Sequence, residues 1–466
     1  MYPQSRPRRL AWDRRAFLSL TGTALGAAPF LALGSRADAM RRGPAASGRQ
    51  TTRAAGYGPL APVDDETTGL PLLQLPAGFR YISFGWTGDP LVDGSRTPGA
   101  HDGMAAFAAS GGRVRLVRNH EIRDGGTPFT DGPVYDPNAG GGTTTIEFDT
   151  AAGTVIEAWA SLSGTAVNCA GGPTPWGSWL TCEETVLGPG GESEYGQPHG
   201  YIFEVPADGE ASGEPLRAMG RFVHEAVAVD PATGIVYETE DRGTSGLYRF
   251  LPDEAGNLAS GGRLEMLAVA DAPRADLRTG QTAHVWRPVA WVPIDEPDPA
   301  DISDRRLYAQ GAGGGAATFA RLEGAWHGDG RIYIVSTTGG DAEAGQVWEY
   351  DPANERLRLI FESPGVDVLD MPDNICVSPR GGLVLCEDGL NENFNFVRGL
   401  TVEGEIFPFA KNDIVLAGER NGVSGDFRHR EFAGATYSPD GRWLFVNAQS
   451  PGITFAVTGP WADGPL

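Results

Sequence analysis

At 466 residues the chain is longer than one hydrophobic core normally supports, leaving two or three domains or one repetitive architecture. Its 60 acidic against 37 basic residues give a net charge of −23, and Lys411 is the only lysine, which excludes nucleic acid as a partner because phosphate neutralisation needs clustered cations. The 66 glycines and 35 prolines lie between short apolar runs and point to many turns in an all-β chain rather than to disorder.

At the N-terminus, Arg6, Arg8 and Arg9 precede "DRRAFLSL" (13–20), and a modest apolar stretch runs from Ala16 to Leu33. Gly22, Gly26 and Pro29 interrupt it, so it is too weak for a comfortable membrane span. It ends in Ala37-Asp38-Ala39, a small-x-small cleavage site. With Arg14-Arg15-x-Phe17-Leu18 as its core, the segment resembles a twin-arginine export signal. The expected organisation is a signal peptide over 1–39, a flexible linker over 40–62 and a single domain over 63–466. Export by the twin-arginine machinery to the periplasm or exterior follows, with a monomer and no stable membrane insertion after cleavage. That route carries folded proteins, often with a cofactor already loaded, and so favours a metal site.

From there one hairpin recurs: an apolar strand, a tight turn, a second apolar strand and a polar finish. It appears over 102–121, 168–184, 224–241, 322–341, 371–389 and 432–450. Between these lie outer-strand patterns at 200–205, 246–252, 346–352 and 453–457. Such repetition predicts an all-β fold, a six-bladed β-propeller with a metal site at one mouth of its central channel. In a hairpin the first residue of one strand sits beside the last of the other. Innermost hairpins would therefore aim Glu121, Cys169, Glu183, Glu184, Glu225, Glu240, Asp241, Glu323, Asp373, Glu387 and Asp388 at a common space. Confined carboxylates repel one another unless protonated or neutralised, and bound polyvalent cations are the natural remedy. Hard oxygen ligands suit calcium, magnesium, manganese or ferric iron.

The segments "RNHE" (118–121), "GTAVNCAGGPTPWGSWLTCEET" (164–185), "GRFVHEA" (220–226) and "PDNICVSPRGGLVLCEDG" (372–389) resemble the PhoX family of bacterial alkaline phosphatases. The likeness spans about Leu70 to Pro460. It implies a phosphomonoester hydrolase with a mixed iron (Fe3+) and calcium (Ca2+) cluster, a bridging oxo or hydroxide nucleophile and small phosphomonoester substrates. Carried over by motif, Cys169 is the thiolate iron ligand, and Glu225 and Glu323 are iron-binding glutamates. Arg321 is the phosphate clamp, and Asn119 and Glu121 lie at the cluster's edge. Glu184 and Asp241 are calcium-side ligands, with Glu183, Glu240 and Glu387 beside them. The segment "RLEG" (321–324) departs from the family's Arg-Pro-Glu-Trp, which weakens the placement of Arg321 and Glu323.

No G-x-S-x-G elbow, Walker A sequence or H-E-x-x-H stands in the chain. His120, His224 and His327 read as structural rather than ligating, and Trp176 and Trp179 as core. Cys182, Cys376 and Cys386 read as small core residues; the spacing of Cys376 and Cys386 leaves a disulfide open. Two alternatives stand beside the phosphatase: a calcium-dependent lactonase or esterase, which would leave Cys169 idle, and a non-catalytic, cation-stabilised binding propeller.

Overall fold

The computed structural model describes residues 56–466 except 124, 131, 191–193, 301–305 and 390–393. The expected signal peptide and residues 40–55 of the expected linker lie outside the described residues.

Strand-forming runs of β-branched and aromatic residues, broken by Gly, Pro and Asp turns, give antiparallel hairpins throughout. The first sheet orders His101–Ala108, Arg113–His120, Gly141–Asp149 and Thr154–Thr165. Asn168–Pro173, Ser178–Glu183 and Ile202–Pro206 form the second. His224–Val229 leads Val236–Glu240, Leu247–Pro252 and Gly262–Val269 in the third; Leu322–Gly328 leads Arg331–Ser336, Gln346–Asp351 and Arg356–Glu362 in the next. The strand Arg287–Pro293 joins the outer edges of those two. Pro372–Val377 leads Leu383–Glu387, Phe396–Leu400 and Ile406–Asn412. Finally Phe432–Tyr437, Leu444–Ala448 and Ile453–Thr458 are completed by Arg80–Phe84 from the start of the domain.

The leading strands touch in a cycle: that at His101 packs on that at Asn168, then His224, Leu322, Pro372, Phe432 and back to His101. Radial sheets closed in this way, the last one sealed by an N-terminal strand, make an all-β propeller. A separate apolar cluster fills each gap between neighbouring sheets, as Leu180 and Cys182 do against Val227 and Tyr248. No sheet buries both faces by itself, so the neighbours supply the core.

One expectation needs correcting, and one open reading closes. The end of the expected linker is structured: Leu60–Val63 pairs with Leu73–Pro76, and the Tyr57 ring meets Phe79, Phe409 and Trp461 edge-on. Those ring contacts tie the segment to the fold. The disulfide left open between Cys376 and Cys386 is absent, and both are free. The register sets Cys376 opposite Val384 and Cys386 opposite Asn374, so the two are offset along the hairpin.

Candidate metal centre

Each leading strand carries a bulge at its start, between His101 and Met104, Asn168 and Gly171, His224 and Val227, Leu322 and Ala325, Pro372 and Asn374, and Ala433 and Thr436. A bulge re-aims the side chains beside it. The second residue of these strands is in turn Asp102, Cys169, Glu225, Glu323, Asp373 and Ala433, followed by Gly103, Ala170, Ala226, Gly324, Asn374 and Gly434. All but Asn374 are small, because the neighbouring backbone is close. A Cβ on Gly103 would lie 2.6 Å from the Ala170 Cα, and one on Gly434 2.4 Å from the Asp102 carbonyl oxygen.

The residue after each second strand repeats too: Glu121, Glu184, Asp241, Thr337, Asp388 and Gln449. Their amides donate to the carbonyls of Ala100, Val167, Val223, Arg321, Met371 and Glu431, each just before a leading strand, at 2.8–3.2 Å. Ala100, Val167, Arg321 and Met371 hold φ of 49, 51, 45 and 52°, a left-handed backbone uncommon outside glycine. Such conformations persist where the surroundings over-determine them, often at functional sites.

These two sets converge. Single ligand atoms from Cys169, Glu225, Glu323 and Asp373, all buried, lie within 4.8 Å of one another. Asp102, Glu121 and Cys169 form a second such group, and Asp373, Asp388 and Glu431 a third. Cys169 and Asp373 each belong to two groups, so the three run together. Both carboxylate oxygens of Glu225 and the Oδ1 of Asp102 are buried without a hydrogen-bond partner. Burial, then Glu323 and Asp373, pushes the Glu225 carboxyl well above its usual range, and burial with Glu121 does so for Asp102. The Cys169 thiol is raised by burial and then by Asp102 and Glu225. Unpaired buried carboxylates are costly unless a cation compensates them. A thiol among hard oxygen donors suits a mixed set that includes a transition metal. The donor set therefore fits polyvalent cations.

The other expected residues divide by strand parity, since successive side chains point to opposite faces. Glu184 and Asp241, just past their strands, sit at the rim. Arg123 Nη2 donates to Glu184 at 2.8 Å; Arg321 donates to both oxygens of Asp241, from Nε at 2.8 Å and Nη2 at 3.1 Å, and also to Glu323. Glu183, Glu240 and Glu387, one residue earlier, turn into the sheets instead of the cluster. Glu240 accepts from the Gly246 amide and Tyr248 hydroxyl, both at 3.0 Å. Glu387 accepts from Arg398 Nε at 2.7 Å and from the Asp370 and Phe396 amides. Asn119 is spent on structure: Nδ2 donates to the carbonyls of Cys169 and Ala170 at 3.0 and 2.8 Å, while Oδ1 accepts from Trp179 and Thr181. It holds the strand that carries Cys169, so it is a positioning residue rather than a catalytic one.

Glu183 belongs to a buried triad in which His199 bonds Glu183 through Nδ1 at 2.6 Å and Asp136 through Nε2 at 3.1 Å. Burial pulls the imidazole pKa down, but the two carboxylates outweigh it and hold the value above normal. His199→Leu leaves both acids buried without it and is expected to cost about 3 kcal/mol in a denaturant unfolding midpoint. The gap should narrow as pH rises through the elevated His199 value, because the protonated ring is the form the acids stabilise. A gap that stays the same across that range would contradict an imidazolium here.

Sequence reasoning passed over Asp102, Glu431 and Arg123, and placed Asp373 and Asp388 at the channel without assigning them as ligands. An acid or thiol as the second residue of five of the six leading strands marks Asp102 and Asp373. Nothing comparable marks Glu431, which precedes a strand whose second residue is Ala433.

A ring of sheets around a buried carboxylate-and-thiol cluster defines a β-propeller with a centre able to hold cations. The chain belongs to the family of alkaline phosphatase PhoX, whose pattern matches residues 55–157 and 149–452, and it is accordingly a phosphoric monoester hydrolase. No curated protein matches it. Among solved structures it is similar to the gluconolactonase XC5397 from Xanthomonas campestris, at 13% identity over 80% of this chain and 98% of that one, with a TM-score of 0.34. The WD40 propeller domain of Doa1 matches at 11% identity over 83% and 99%, with a TM-score of 0.38. TolB from Acinetobacter baumannii matches at 11% identity over 76% and 66%, with a TM-score of 0.34.

Proposed function

We propose that the chain is an exported phosphomonoesterase that acts on small phosphate esters through iron held by Cys169, Glu225 and Glu323 and calcium held by the neighbouring carboxylates. The observation that carries this reading is the group of Cys169, Glu225, Glu323 and Asp373, in which Glu225 has no other partner for either oxygen. Cys169 argues for iron over an all-calcium centre, and its place in two of the groups argues against a lactonase-type calcium site that leaves it idle. Cations held there supply positive charge against the phosphoryl oxygens and Lewis acidity that activates a nucleophile. The chain's own residues do the rest. Arg321 offers a planar fork for a phosphoryl oxygen pair, Asn119 keeps the Cys169 strand in place, and the buried position of Glu225 and Glu323 keeps water from competing.

The reading includes six blades, supported by the cycle of leading strands and by the amide-to-carbonyl bond that recurs in every hairpin. It also includes a monomer, and a twin-arginine signal over 1–39 directing it to the periplasm or exterior. Among the described residues no helix is long and apolar enough to cross a membrane.

Elemental analysis of protein recovered after native export, paired with hydrolysis of p-nitrophenyl phosphate, tests the reading. Iron together with calcium and turnover of the ester are expected; calcium alone without turnover would sink it.

A further inference from the structure

Two arginines stand at the rim, Arg123 just after the second strand of its sheet and Arg321 just before the leading strand of its own. Arg123, three residues beyond the strand Arg113–His120, donates from Nη2 to both Glu121 and Glu184 and so ties the first sheet to the second. Arg321 does the same between the third sheet and the next, donating to Asp241 and Glu323. Glu184 and Asp241 lie within hydrogen-bonding reach of each other. Along one arc the order is Glu121, Arg123, Glu184, Asp241, Arg321, Glu323.

Exposure shows which charge faces outward. The side chains of Glu121 and Glu184 are 1% and 8% exposed and those of Asp241 and Glu323 10% and 2%, whereas Arg123 is 46% and Arg321 21% exposed. The guanidinium groups lie on the solvent side of the acids they pair with. In the absence of cations each arginine serves as counter-ion to two carboxylates. Once cations neutralise those carboxylates, the guanidinium charge is left in excess and turned toward the mouth. Arginine's rigid fork suits a tetrahedral oxyanion, and two forks supply more donors than one phosphoryl face with a single charge requires.

We propose that Arg123 is a second phosphoryl-binding arginine, across the Glu184–Asp241 pair from Arg321, and that the two together select dianionic phosphomonoesters over monoanionic diesters. This rests on the phosphatase reading above. The lone lysine is not part of this arrangement; Lys411 packs over Phe394 and Phe396.

The test compares wild type, Arg123→Ala and Arg123→Lys as metal-loaded full-length protein. Calorimetry with inorganic phosphate measures binding, elemental analysis measures metal content, and p-nitrophenyl phosphate is assayed beside bis-p-nitrophenyl phosphate. The expected result for Arg123→Ala is phosphate binding weakened about tenfold or more, as for a lost charge-assisted hydrogen bond, with metal content unchanged. KM for the monoester should rise, and the monoester-to-diester ratio of kcat/KM should fall. Arg123→Lys should recover part of the loss, having the charge without the fork. Phosphate affinity within twofold of wild type in Arg123→Ala would overturn the proposal. So would a loss of metal in step with phosphate binding, since Arg123 would then be a strap for Glu121 and Glu184. A fully loaded wild type that hydrolyses no monoester would instead sink the phosphatase reading, whatever Arg123 does to phosphate binding.

Discussion

Cys169→Ser is expected to lose bound iron and at least about a hundredfold in phosphomonoester turnover, because even partners behind a metal's ligands cost ten- to a hundredfold when removed. The Sγ lies within 4.8 Å of ligand atoms from two separate acid groups, so its removal breaks the link between them. Serine keeps the size but not the chemistry. A buried thiol can give up its proton to a soft or borderline cation, whereas a buried hydroxyl at neutral pH cannot match it. The backbone should not move, since Asn119 holds the carbonyls of Cys169 and Ala170 and leaves the side chain alone. Metal content, turnover and the unfolding midpoint of the metal-free form together separate these effects. Cys182→Ser is the control. That residue packs between the second and third sheets, so a change there should cost stability and leave the metal in place. Full iron and full turnover in Cys169→Ser would remove the thiolate from the centre.

Removing the cations with a chelator is expected to abolish turnover and to make stability fall as pH rises. In the metal-free protein the carboxyls of Asp102, Glu225 and Glu323 are raised, chiefly by burial, above ordinary values of 3.8 for Asp and 4.5 for Glu. The folded state then holds more protons than the unfolded one. The stability this gives is complete below those ordinary values and drains away as pH climbs through the raised ones. Glu240 and Glu387, pushed up to about 7, add the same slope between about pH 4.5 and 7. They lie outside the cluster, so their share is common to both forms and cancels in the difference. Ligand acids must be ionised to hold cations, so loading releases protons and the loaded form gains as pH rises. The gap between loaded and metal-free midpoints should widen from acid to neutral pH. It should reach about 4 kcal/mol with cation in thousandfold excess over its dissociation constant. A gap that is flat or narrows with pH would mean that cations do not bind these acids.

Much of this is legible in the sequence. The hairpins are local, and strand, turn and strand follow from β-branched and aromatic runs cut by Gly and Asp, so all six leading strands lie where the sequence predicts them. That Cys169, Glu225 and Glu323 point into one space is legible because each stands at a strand start. Errors arose where one residue changes the direction of a side chain. Glu183 and Glu184 are adjacent, yet one feeds the His199 triad and the other the rim. Asp102 stands where Cys169, Glu225 and Glu323 do, second in its leading strand, and was passed over although that position marks it.

The repeat, the all-β class and the gathering of acids at one end of most hairpins follow from short-range pattern and period. Which acids meet is a matter of long-range packing. That depends on bulges that turn the second residue of each leading strand and on glycines that let neighbouring backbones approach. It also depends on closure of the ring by Arg80–Phe84 against Ile453–Thr458, a pairing between chain segments more than 350 residues apart. Contacts of that kind arise from the packing of whole sheets against one another, and no local run of residues encodes them.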